Sequence, residues 1–175
     1  MCISRFYPLG LLLEFDSKHM ASDKLTTVKR WYEEMWSLPD PDLADRIVHP
    51  DYAPHWVHIP AKGPAQIKQE IRYFRGMFPD LSYTVIDSAA DGDKVWAWYR
   101  GRGTHLGSGW GFEATGKTVE FDGMAIFYFD ADGLIVDRWA VYSFYDIFSG
   151  LGLAPPWWEL QNHLKDWPKP EGNDA

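Results

Sequence analysis

Apolar residues recur at three- and four-residue spacing up to Phe78, and beyond Pro79 the pattern becomes short runs of β-branched and aromatic residues. That change of period restricts the chain to folds in which helices come first and consecutive strands follow. Leu25, Val28, Trp31, Tyr32, Met35 and Trp36 share one face of a first helix, which Ser22 or Asp23 can cap and which Pro39 and Pro41 end. A short helix is predicted over Leu43 to Ile47. Gly63-Pro64 opens a third, with Ile67, Ile71, Phe74 and Phe78 on one side. Four strands are predicted, over Ser82 to Ser88, Lys94 to His105, Thr118 to Phe129 and Leu134 to Tyr145. Asp91-Gly92, Asp132-Gly133 and the Gly107 to Gly111 loop punctuate them, so neighbouring strands are expected to be antiparallel. The expected fold class is α+β: a cone-shaped barrel in which N-terminal helices pack on a curved sheet and enclose a hydrophobic pocket.

Residues 20–167 are read as one domain, with 1–19 as an N-terminal extension and 168–175 as a disordered tail. The single cysteine, Cys2, excludes an internal disulfide framework and suits a reducing cytoplasm. A net charge of −8, with no cluster of Lys and Arg, argues against a nucleic-acid partner. No apolar run approaches the roughly 18–20 residues that span a bilayer, so no membrane partner is expected. Ten Trp, nine Tyr and ten Phe imply either a ring-rich core or a pocket that stacks flat, apolar ligands.

Several short motifs fall in order along the chain. They are Gly63-Pro64, Phe78-Pro79-Asp80-Leu81, Asp91-Gly92-Asp93-Lys94-Val95, Gly103-Thr104-His105-Leu106-Gly107, Ala114-Thr115-Gly116-Lys117 and Asp132-Gly133-Leu134-Ile135. The ordered set, from about Val28 to Pro155, resembles the SnoaL-like polyketide cyclases of the nuclear-transport-factor-two-like superfamily. The resemblance implies a cone-shaped pocket, no cofactor and frequent homo-oligomers, with a dimer expected here. The superfamily also holds dehydratases, isomerases, epoxide hydrolases, lyases and binding proteins, so it leaves the reaction open. Typical relatives carry an acid–base Asp four residues past the Trp equivalent to Trp139; here that position is Ser143. A serine does not take up a carbon-bound proton near neutral pH without a base beside it.

The resemblance places His105 at or near the cavity, where its ordinary pKa near 6.5 suits proton transfer; the alternative is a histidine that ties down the glycine loop. It also places His55, of Asp51-x-x-x-His55, toward the pocket, with Tyr52, Trp56 and His58 beside it. Pro54 and Pro60 argue against the helix that a metal pair of His55 and His58 would need, so no metal is expected. Asp137, Trp139, Val141 and Ser143 share one strand face, which the resemblance turns inward; Asp137 is then a pocket carboxylate or a rim residue. Trp96, Trp98, Arg100 and Arg102 share a face that is either a clamp for an aromatic, anionic ligand or a packing surface. Glu120 and Asp122, alternating with apolar residues on the strand that follows, belong either to a wet pocket mouth that binds substrate or to a solvent face.

The expected function is therefore a cofactor-independent lyase or isomerase acting on a small hydrophobic, aromatic substrate. By resemblance, retro-aldol release of formaldehyde from a lignin-derived diaryl compound, or a dehydration, fits such a pocket. His105 or His55 is expected as the base, Arg100 as the oxyanion partner and Trp31, Trp56, Trp96, Trp98 and Trp139 as stacking walls. A polyketide ring cyclase with a relocated acid–base residue, and a non-catalytic binding protein, are the alternatives.

Overall fold

A computed structural model describes residues 23–38, 40–53, 55 and 61–164. Helix α1 spans residues 23–36, and its last part, Trp31–Trp36, widens into π-helical geometry. A 3₁₀ turn, Pro41–Leu43, leads into the short α2, Ala44–Ile47. Helix α3, Gly63–Met77, starts where Gly63-Pro64 predicts, with proline in the first turn, where its missing N–H costs nothing.

Strands β1 (Ser82–Asp91), β2 (Lys94–Thr104), β3 (Thr118–Phe129) and β4 (Ile135–Tyr142) form one sheet in sequential order, every pair antiparallel. The predicted α+β architecture is the observed one. Two boundaries are corrected: the first strand runs on to Asp91, three residues past the predicted Ser88, and the last strand is shorter than predicted. The last strand stops at Tyr142, because the Ser143 hydroxyl accepts the Asp146 N–H at 3.2 Å and caps helix α4, Phe144–Leu151. Gly152, at φ +76°, ends that helix in the left-handed conformation glycine tolerates best. A 3₁₀ turn and the short α5, Leu160–Leu164, follow. No helix among the described residues is long and apolar enough to cross a membrane.

The apolar side of α1 lies on the inner face of the sheet, burying Val28, Trp31 and Met35 against Val95, Ala97 and Phe127 in one core. Trp31 meets Phe127 edge-on at 5.4 Å, and Tyr32 stacks on Tyr99 at 4.3 Å. Arg75 locks the end of α1 to the turn before β1. Its guanidinium donates to the carbonyls of Trp36 and Ser37 at 2.6 Å, Pro79 at 2.9 Å and Leu81 at 3.2 Å. The segment after α2 reaches β4 through a parallel bridge, Val48 to Ile135, and His49 N–H donates to the Ile135 carbonyl at 2.9 Å.

Candidate functional site

Between α1, α3, α4 and the inner face of the sheet lies a cavity of about 570 Å³. Of its 19 lining residues twelve are aromatic, among them Trp31, Tyr32 and Trp36 from α1 and Tyr99 from β2. Glycines on the strands make room for these rings. Gly123 pairs with Tyr99 and Gly101 with Phe121, and a Cβ at either glycine would overlap the partner's ring. Trp110 closes one side. It sits at φ +52°, a strained value for a non-glycine residue, with its ring edge-on to Phe74 at 5.8 Å and Phe144 at 5.9 Å.

Among the described residues only two that line the cavity carry a formal charge, Glu70 from α3 and Arg138 from β4. Glu70 is buried, and the amide of Gln66, one helical turn earlier, donates to its carboxylate. Burial lifts the Glu70 carboxyl above the ordinary carboxylate range, and the Arg138 charge and Gln66 hydrogen bond only partly oppose this. Arg138 lies over the rings of Trp31 at 5.4 Å and Phe127 at 5.7 Å. Burial works against its charge, and the surrounding Tyr32, Tyr52, Tyr99 and Glu70 outweigh it, so the guanidinium stays protonated. Burial likewise raises Tyr32, Tyr83 and Tyr142, which keeps their phenols neutral and able to donate. A buried carboxyl with a raised pKa and a cation on the wall of the same cavity can move a proton and hold the oxyanion that results.

The sequence-predicted residues are distributed differently. Trp31 lines the cavity, as expected. Tyr52 is buried behind it, 6.4 Å from the Trp31 ring, and is not a lining residue. Trp96, Trp98, Arg100 and Arg102 face outward, and the residues that alternate with them, Ala97, Tyr99, Gly101 and Gly103, face in. The expected clamp is corrected accordingly: Arg100 donates to both Asp122 carboxylate oxygens, at 2.7 and 3.2 Å, and lies 3.6 Å from Glu120, on the outer surface. On β4 the inward residues are Arg138 and Tyr142, whereas Asp137 is half-buried and absent from the cavity wall, and Trp139 and Val141 are exposed.

Three expected residues do converge, on that outer face. His55 Nε2 lies 2.7 Å from Asp137 Oδ1, and its ring stacks on Trp139 at 3.7 Å. His105 is fully buried but does not line the cavity. Its Nδ1 accepts the Thr115 N–H at 3.3 Å, its ring lies 5.2 Å from Phe78, and its backbone N–H donates to the Lys117 carbonyl at 2.9 Å. That is the loop-tying arrangement, not a base facing the ligand. Ser143 is the α4 cap, and Trp56 and His58 lie outside the described residues. Among the described residues no three His, Cys, Asp or Glu side chains gather as they would around a metal ion.

Sequence reasoning missed Glu70 and Arg138. Glu70 had a visible signal: it shares the helical face of Ile67, Ile71 and Phe74, where a carboxylate needs a reason to be. Arg138 has none of its own, since the two-residue period does not say which face of its strand is the inner one.

Residues 26–151 match the family model for SnoaL-like polyketide cyclases. Among solved structures, the chain is similar to TsrD from Streptomyces laurentii, with a TM-score of 0.67 and 23% identity over 76% of this chain and 95% of that one. It is similar to a protein from Acidithiobacillus ferrooxidans assigned as a polyketide cyclase, with a TM-score of 0.63 and 27% identity over 77% and 96% of the two chains. An LEH-like epoxide hydrolase from M. tuberculosis gives a TM-score of 0.57 at 19% identity, over 76% and 92%. No curated protein matches the sequence.

Proposed function

The chain belongs to the SnoaL-like polyketide cyclase family, and we propose that it is a cofactor-independent acid–base lyase or isomerase acting on a small aromatic molecule inside the ring-lined cavity. One observation carries the reading: a buried carboxyl, Glu70, and a half-buried guanidinium, Arg138, in a wall otherwise made mostly of aromatic side chains. In a retro-aldol cleavage, Glu70 as carboxylate accepts the proton of the substrate's β-hydroxyl. The carbon–carbon bond breaks, its electron pair moves into the neighbouring carbonyl, and an aldehyde leaves. Arg138 holds the enolate oxygen that forms, and the Glu70 carboxylic acid returns the proton to the enolate carbon. An aldol cyclisation uses the same two groups in the opposite direction, with Glu70 in the acid–base role and Ser143 serving as the α4 cap.

Both directions share one elementary step, a proton exchanged at carbon beside a carbonyl. The wild-type protein is expected to accelerate hydrogen–deuterium exchange at the acidic CH₂ of 2-tetralone in D₂O, followed by proton NMR. His55→Ala and His105→Ala are expected to stay within threefold of wild type. A protein that binds tetralone and leaves exchange at the buffer rate is a binding protein, and the enzyme reading fails.

The outer sheet face supports a partner as well. Trp96, Trp98, Met124, Trp139 and Val141 are exposed there, and the register makes them contiguous: Trp98 beside Met124 beside Val141, and Trp96 and Trp139 on either side of Ile126. An apolar patch of this kind, rimmed by Arg100, Asp122 and Glu120, suits a second copy of the chain packed sheet to sheet. Val141→Asp is expected to convert a sedimenting dimer to monomer; a wild type that is monomeric at 50 μM removes this part of the reading.

A further inference from the structure

We propose that the molecule held in the cavity is an aromatic anion whose charged oxygens pair with Arg138, an inference that rests on the cavity being the active site. The case begins with a contrast between two arginines on the sheet. Arg100, exposed on the outer face, has a two-point carboxylate partner in Asp122. Arg138 is half-buried with its Nε closed off from solvent, where an unpaired charge costs more than at the surface, and among the described residues it forms no salt bridge. Its neighbours are phenols and ring faces, which offer dipoles and quadrupoles but no full negative charge. The one acid nearby, Glu70, is engaged by Gln66, and its burial favours the neutral form.

A second observation is independent of the charge. Buried polar atoms without a hydrogen-bond partner among the described residues cluster on this cavity: Trp31 Nε1, Trp36 Nε1 and Arg138 Nε. All three can donate. Buried donors left unmade are expensive, and a wall that collects three of them is complementary to a ligand rich in acceptor oxygens. The twelve rings supply the other half of the specificity, a flat apolar body. Guanidinium, donors and rings together describe an aromatic carboxylate or phenolate.

Isothermal titration calorimetry with matched probes separates the charge from the ring. The first pair is 2-naphthoate and 2-naphthamide at pH 7; the second is 4-nitrophenolate and 4-nitroanisole at pH 8.5. At least one anion is expected to bind the wild-type protein tenfold or more tightly than its neutral partner, and which pair shows the difference tells carboxylate from phenolate. Arg138→Met should bring that pair within threefold, while Arg138→Lys retains part of the preference. The wild-type comparison stands even if a variant fails to fold, and circular dichroism reports that failure. If neutral and charged probes bind alike in both pairs while tetralone exchange persists, the anion inference alone is overturned. If no probe binds at millimolar concentration, this inference and the cavity reading fall together.

Discussion

Glu70→Gln is expected to slow tetralone exchange by about 10²–10⁴-fold, the usual contribution of a general acid–base group. Glutamine preserves the shape of the side chain and its place beside Gln66, but it neither accepts nor returns a proton. A loss smaller than tenfold removes Glu70 from the mechanism. The same substitution makes a second, opposite prediction for stability. The folded-state pKa of Glu70 is raised, mainly by burial, so the native state holds its proton more tightly than the unfolded chain does. Its contribution is therefore fully present below the unfolded carboxylate range and is lost as pH rises through the folded pKa. Thermal melts across that window should show wild type losing stability as pH rises, and Glu70→Gln flattening this part of the profile. A variant that loses both exchange and stability at neutral pH would indicate a structural carboxylate.

Trp31→Ala should cost about 3–5 kcal/mol of unfolding free energy, as for other large-to-small aromatic changes in cores. Trp31 is fully buried and packs edge-on to Phe127, near Tyr52 and beneath the Arg138 guanidinium. Its removal opens a void and takes a ring face from a half-buried cation at once. Against a typical stability of about 5–15 kcal/mol this is a large fraction, and urea unfolding at neutral pH measures it. Trp31→Phe should lose visibly less, because the ring face under Arg138 is retained. Equal losses for the two variants would mean that the cation plays no part.

The order of elements was readable because it rests on local periods. Three- and four-residue spacing gave α1 and α3, Gly63-Pro64 gave the start of α3, and the Asp-Gly pairs gave the β1–β2 and β3–β4 turns. The last strand does not extend through Tyr145 for a local reason: Ser143 and Asp146 have the spacing of a helix cap, and the cap outweighs the aromatic run around it. The site is legible in part. Trp31 is a wall residue, and Glu70 lies on an apolar helical face.

By itself the sequence determined that helices precede a four-stranded antiparallel sheet, and that Trp96, Trp98 and Arg100 lie together on one face while Asp137, Trp139 and Val141 do so on another. It did not determine which side of the sheet is the inside. A two-residue period assigns residues to faces, and the two faces of a strand with aromatic residues on both are equivalent until something packs against one of them. Here the choice is made by contacts far apart in sequence: α1 lays Trp31 and Tyr32 over Phe127 and Tyr99. With that face buried, Arg138 goes into the cavity and Asp137, Trp139 and Arg100 go out. The residues that meet at the candidate site, Glu70 on a helix and Arg138 on the last strand, are joined only by that packing.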